Sequence, residues 1–223
     1  MLLQGGKIVT IYIGIMASSG GSGKDTVADM LVDFYTKHGL KARKYALSTG
    51  IYEICSWFVG KDNIQRKHLQ AVGENIRHIF GDTAWIDATD KVIEREAAEH
   101  DLDVVIITDI RKMIEFGHYC FERDYLPLYI QTDINVAKQR LAQRDSYTDD
   151  KSLNSSIEQE LKFLEKLPLE SSDNKMKGLS ETFLKQAAHK TFKNFRVICN
   201  NQGLGELRSS VNAYASETIK RRG

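Results

Sequence analysis

Gly14-Ile15-Met16-Ala17-Ser18-Ser19-Gly20-Gly21-Ser22-Gly23-Lys24-Asp25-Thr26 decides how this chain folds. An apolar run, Ile8 to Met16, leads into it, and a segment of helical pattern, Val27 to Tyr35, leaves it. Strand, glycine-rich turn and helix in that order make a phosphate cradle. Successive backbone N–H groups curl around an anion, and the helix adds the positive end of its dipole. Gly20, Gly21, Ser22, Gly23, Lys24, Asp25 and Thr26 are therefore the candidate nucleotide-phosphate residues. Lys24 supplies a mobile charge at the β- and γ-phosphates, and the Thr26 hydroxyl stands near Mg²⁺. The hydroxyl lies one place later than in the commonest form of the motif. Asp25, which takes that place, suits the first turn of a helix electrostatically.

Outward from the cradle, five β-type runs alternate with helical patterns: Ile8 to Met16, Ala42 to Ala46, Val104 to Thr108, Leu128 to Gln131 and Arg196 to Cys199. Alternation of this kind predicts a parallel sheet covered on both faces, an α/β fold whose ligands bind at the carboxyl ends of the strands. The candidate chemistry falls at those ends. After the third run comes Thr108-Asp109-Ile110-Arg111, an apolar strand closing on a carboxylate. Asp109 is a candidate Mg²⁺ ligand through water, and Arg111 a bidentate grip on an acceptor phosphate, with Glu115 four residues on to fix its rotamer. After the fourth run, Lys138, Arg140 and Arg144 offer cations to a transferring phosphoryl group. After the fifth, Asn200, Asn201 and Gly203 suit a turn lining an adenine, and an ordinary turn is the plain alternative.

Between the second and third runs lie almost sixty residues, too many for a simple crossover. Ile51, Ile54, Cys55 and Phe58 share one helical face, and Leu69, Val72, Ile76 and Ile79 share another, which predicts a small helical insertion over 48–99. Beside the second apolar stripe runs a polar one, Arg66, Gln70, Gly73 and Arg77. It reads as the rim of an acceptor cleft in which Gly73 leaves room for a ligand and Trp85 stacks on a base. A solvated helix face with a core tryptophan is the competing reading. Residues 145–190, polar and rich in Ser, Lys, Glu and Asp, read as a lid. The core then comprises 7–47, 100–144 and 191–223, all within one domain.

Composition limits the alternatives. The chain has 223 residues, 42% of them hydrophobic, and a formal net charge of +1. That balance gives no bulk electrostatic reason to expect nucleic acid or an anionic membrane as partner. No apolar run approaches the ~20 residues of a membrane span. Cys55, Cys120 and Cys199 are far apart and odd in number, as reduced thiols of a cytoplasmic protein are. The six histidines show no metal-ligand spacing. A homodimer is compatible with the sequence.

Taken together, Gly21 to Ala28, the stretch Leu69 to Arg77 with Trp85, Thr108 to Arg111 with Glu115, and Arg140 to Asp145 resemble the P-loop nucleoside monophosphate kinases, above all the deoxynucleoside monophosphate kinases of phages and bacteria. The elements stand in family order from Gly14 to about Asp145. The resemblance implies a three-layer α/β/α core with a five-stranded parallel sheet, an acceptor-binding insertion after the second strand and a lid after the fourth. It implies Mg-ATP as donor and small-molecule nucleotides as partners. It also implies Gln70, Arg77 and Arg111 on the acceptor monophosphate. The chain departs from the family pattern at Ser18, where the first P-loop glycine is expected, and at Lys112-Met113-Ile114, where Phe-Pro-Asn is expected. Two other activities fit the same residues. One is a small-molecule kinase on the same scaffold, such as a phosphomevalonate or dephospho-coenzyme A kinase. The other is a regulatory P-loop ATPase, which has no need of the second cationic set.

The loop reading makes a direct prediction. Lys24→Met is expected to lower turnover by several orders of magnitude while leaving the circular dichroism spectrum unchanged. Turnover near that of the wild type contradicts the assignment.

Overall fold

The computed structural model describes residues 10–17, 19–145, 161 and 193–221. Five strands, β1 (Ile11–Met16), β2 (Ala42–Ala46), β3 (Val104–Ile110), β4 (Leu126–Gln131) and β5 (Arg196–Cys199), form one sheet in the order β2-β3-β1-β4-β5. Every pairing is parallel. Between the strands run α1 (Lys24–Lys37), α2 (Thr49–Val59), α3 (Arg66–Phe80), α4 (Ala84–His100), the short α5 (Met113–Phe116) and α6 (Ile134–Asp145). The chain closes with α7 (Leu204–Lys220).

The apolar strand runs explain the layers. Side chains alternate across a strand, so a run that is apolar at every position must be covered on both faces. Ile11, Ile13 and Ile15 of β1, Val104 and Ile106 of β3, and Leu128 and Ile130 of β4 pack with Val27, Leu31 and Tyr35 of α1 and with Leu207, Val211 and Ala215 of α7. The intervening Met16, Val105, Ile107 and Tyr129 face the other way, onto Ile86 and Ile93 of α4 and Phe116 of α5. The buried Tyr35 hydroxyl meets that of Thr218, joining α1 to α7. The result is the expected α/β fold with helices on both faces of a five-stranded parallel sheet.

Three sequence expectations change. The third strand runs two residues further than its apolar core and carries Asp109 within it, and the fourth begins two residues earlier. The 48–99 stretch is helical as expected, yet α4 belongs to the core layer through Ile86 and Ile93. Finally, Phe58 and Ile79 are exposed although each falls on an apolar helical stripe. Ile51, in the first turn of α2, meets Gly73 in the middle of α3, whereas Phe58 and Ile79 lie near the C-terminal ends of their helices. Apart from Asp145 and Leu161, the lid region lies outside the described residues, as do Ile8, Ser18 and the Arg144 side chain. No helix of the described residues is long and apolar enough to cross a membrane.

Candidate active site

The parallel sheet brings the ends of β1, β3, β4 and β5 to one edge, and the P-loop lies there. Gly21 and Gly23 have φ of 75° and 88°, the left-handed region where a side chain is strained. Space is equally restrictive: a Cβ on Gly21 would collide with the Ala137 carbonyl of α6, and one on Gly23 with the Asn200 side-chain amide. Gly23, the N-cap of α1, offers the helix start no side-chain cap, and a helix N-terminus favours an anion. Lys24 is buried at the first helical position, whereas Asp25 and Thr26 are exposed.

The loop is tied to two neighbouring strands through one carbonyl. Ser22 O accepts a hydrogen bond from Thr132 Oγ1 at 3.1 Å and another from Asn200 Nδ2 at 2.8 Å. Asn200 Oδ1 in turn accepts from Arg140 Nη2 at 3.4 Å. Arg140 Nη1 and Ser22 Oγ are both buried without a hydrogen-bond partner. A buried, unpaired guanidinium N–H and hydroxyl beside a phosphate cradle mark a place for a polar ligand. Thr132, which motif reading passed over, and Asn200, expected at an adenine-lining turn, both stand just past strand ends and hold the loop carbonyl instead. Asn201, the expected adenine neighbour, instead accepts the Asp133 N–H at 2.6 Å and steadies the start of α6.

A second cationic set gathers at the end of β3. Asp109 has φ of 72°, rare for a non-glycine residue, and lies where the β1–β3 register shifts near the end of β3. Arg111 Nε lies 2.5 Å from Asp109 Oδ1. Glu115 is buried and accepts the N–H groups of Arg111 and Lys112 at 2.9 and 3.0 Å, with Arg77 Nη2 of α3 at 3.3 Å. The expected side-chain pair of Glu115 with Arg111 is therefore corrected. Glu115 holds the Arg111 backbone and the Arg77 guanidinium, while Asp109 takes the Arg111 side chain. Arg77 and Arg111 are brought together in this way. Arg66 sits half-buried about three turns before Arg77 on the same helix, and Gln70 between them is exposed.

Trp85 and Gly73 do not play the parts expected of them. Trp85 is only 5% exposed, its indole N–H donates to Gly73 O at 3.1 Å, and a Cβ on Gly50 would come within 2.9 Å of its ring. The ring is a strut that locks α4 to α3, with no face open to a base. The space over Gly73 is filled by Ile51, whose Cδ1 would lie 3.3 Å from a Cβ there.

Charge at the site follows from these contacts. Burial pushes the Asp109 carboxyl up, but Arg111 and Lys24, with hydrogen bonds from Arg111 and Ser48, bring it below its ordinary value of 3.8. Glu115 goes the other way: burial raises it, and the Arg111 and Lys112 N–H groups and the Arg77 charge offset only part of that push. Among the described residues no group of three or more His, Cys, Asp or Glu could hold a metal by itself. Mg²⁺ needs no such cage, because it keeps waters and takes one or two protein oxygens plus substrate phosphates. The Thr26 hydroxyl and the Asp109 carboxylate are oxygen donors of the kind it takes.

No protein-family model and no curated protein sequence matches the chain. In three dimensions it is similar to a gluconokinase from Sinorhizobium meliloti 1021, with a TM-score of 0.51 and 13% identity over 95% of this chain and 94% of that one. It is also similar, at a TM-score of 0.44 and 14% identity, to shikimate kinase from Acinetobacter baumannii, with 95% of each chain covered. The first likeness shows the fold alone, a parallel α/β sheet with helices on both faces.

The lowered Asp109 carboxyl yields a pH prediction. Such a group binds fewer protons folded than unfolded, so its stabilisation is present above 3.8 and is lost as pH falls through the lower folded value. Urea unfolding across this acid range is expected to show a shallower pH dependence for Asp109→Asn than for the wild type. Equal slopes contradict the placement of Asp109 between Arg111 and Lys24.

Proposed function

We propose that the chain transfers the γ-phosphoryl group of Mg-ATP to the phosphate of a nucleoside monophosphate, giving ADP and the diphosphate. One observation carries the reading. A donor cradle and a second cationic set lie at the same sheet edge, with Asp109 answering to Lys24 on one side and Arg111 on the other. A regulatory ATPase needs the first of these and not the second. The fold shared with a gluconokinase supports phosphoryl transfer to a small molecule in general terms.

The work asked of the protein is positioning and charge neutralisation. The loop N–H groups and Lys24 hold the donor phosphates, and Asn200 sets Arg140 against the same loop. Arg77 and Arg111, steadied by Glu115, hold the acceptor phosphate in line. Arg140 and Arg144 offer further charge from the lid side, and Arg66 and Gln70 extend the acceptor rim. An acceptor phosphate is already ionised, so no strong general base is required. Thr26 and Asp109 would hold Mg²⁺, which would supply charge neutralisation at the donor phosphates. Small-molecule nucleotides are then the partners, the cytoplasm the setting, and neither nucleic acid nor membrane is required.

One observation favours a second reading. With Trp85 buried, the feature that preferred a flat base over another acceptor body is not exposed. A small-molecule phosphate kinase, for phosphomevalonate or dephospho-coenzyme A, keeps the same anion sites. Incubation with Mg-ATP and each common ribo- and deoxyribonucleoside monophosphate separates the two. Selective diphosphate formation is expected. Turnover with mevalonate phosphate or dephospho-coenzyme A alone contradicts the nucleotide assignment, and acceptor-independent ADP release contradicts both.

A further inference from the structure

Beyond the arginines already assigned to the acceptor, one lysine and one glutamate occupy the same site. Arg77 Nη1 lies 3.1 Å from Glu74 Oε1, and Lys112 Nζ lies 3.6 Å from that same oxygen. Two cations from separate elements, α3 and the turn after β3, thus converge on a single oxyanion. Both are anchored from behind: Glu115 takes the other edge of the Arg77 guanidinium at 3.3 Å and the Lys112 N–H at 3.0 Å. The cations are also more sheltered than the anion between them. The Arg77 and Lys112 side chains are 12% and 17% exposed, whereas Glu74 is 54% exposed. A half-exposed carboxylate bound to a fixed cationic pair is weakly held, because solvent competes for it and its side-chain freedom is restricted by the contact.

We propose that Lys112 is a third cation of the acceptor-anion site, and that Glu74 stands in the place the acceptor's phosphate oxygen takes. The proposal rests on the acceptor reading of Arg77 and Arg111 given above. When Glu74 swings outward, Arg77, Arg111 and Lys112 face Glu115 and Asp109, leaving a positive excess that a phosphate neutralises. Glu74 then competes with the ligand for Arg77 and Lys112. The anion recognised is a phosphate monoester or inorganic phosphate, and its organic part is read elsewhere.

The test is binding of inorganic phosphate to the full chain with the P-loop filled by Mg²⁺ and a non-hydrolysable ATP analogue, followed by calorimetry. Lys112→Gln is expected to weaken phosphate binding about tenfold, as loss of a charge-assisted contact does. Lys112→Arg is expected to restore it, and Glu74→Gln to tighten it several-fold, with melting temperatures near that of the wild type. A purely structural salt bridge predicts otherwise: either unchanged binding in all three variants, or weaker binding in Glu74→Gln as well as Lys112→Gln. Either result overturns the proposal, as does absence of phosphate binding in the wild type. Failure of the nucleotide reading is distinguishable. If no nucleoside monophosphate is turned over but phosphate binding still depends on Lys112, that reading falls and the clamp stands. If turnover is found and the acceptor KM is unmoved in Lys112→Gln, the clamp alone falls.

Discussion

The carboxylate of Asp109 is the constraint on which the site depends, because it has to stay ionised in a place where burial opposes charge. Arg111 and Lys24 overcome that opposition. In the proposed reaction Arg111 stands on the acceptor side and Lys24 on the donor side, so one half-buried anion links the two. Its backbone is left-handed near the end of β3, and the N–H groups of Arg111 and Lys112 that follow are held by Glu115. The parallel sheet makes this economical: β1 and β3 are neighbours, and their carboxyl ends deliver Lys24 and Asp109 to the same edge.

A second link acts on the other flank. Asn200, at the end of β5, donates to the P-loop carbonyl of Ser22 and accepts from Arg140 of α6. Together with Thr132 it fixes the loop from outside, where glycine alone would leave it slack. The arrangement explains why Gly23 is excluded from bearing a side chain twice over, by its backbone angle and by the Asn200 amide. The loop is shaped by its neighbours as much as by its own residues.

Much of this was legible in the sequence. The P-loop announces itself through its glycines and flanks, and fully apolar strand runs require a sheet covered on both faces. Strand order is not legible, because periodicity says which residues share a face and nothing about which strand lies next. The same limit explains Phe58 and Ile79, which lie on apolar stripes and are exposed near the ends of their helices. Trp85 was ambiguous between a base platform and a core residue, and only its contacts with Gly50 and Gly73 decide the matter. Glu115 was found by its spacing from Arg111, but spacing could not show that the backbone N–H groups and Arg77 would claim it. The likeness to a gluconokinase at 13% identity carries the scaffold and leaves the acceptor to the residues of the cleft.

The central claim is that a single sheet edge holds two anion sites in line. Titration with a bisubstrate analogue, adenosine and a second nucleoside joined through a chain of phosphates, tests it most directly. The account predicts one analogue per chain, bound much more tightly than ATP, with the gain lost in Arg77→Gln. An analogue that binds no more tightly than ATP, or binds two per chain, contradicts it.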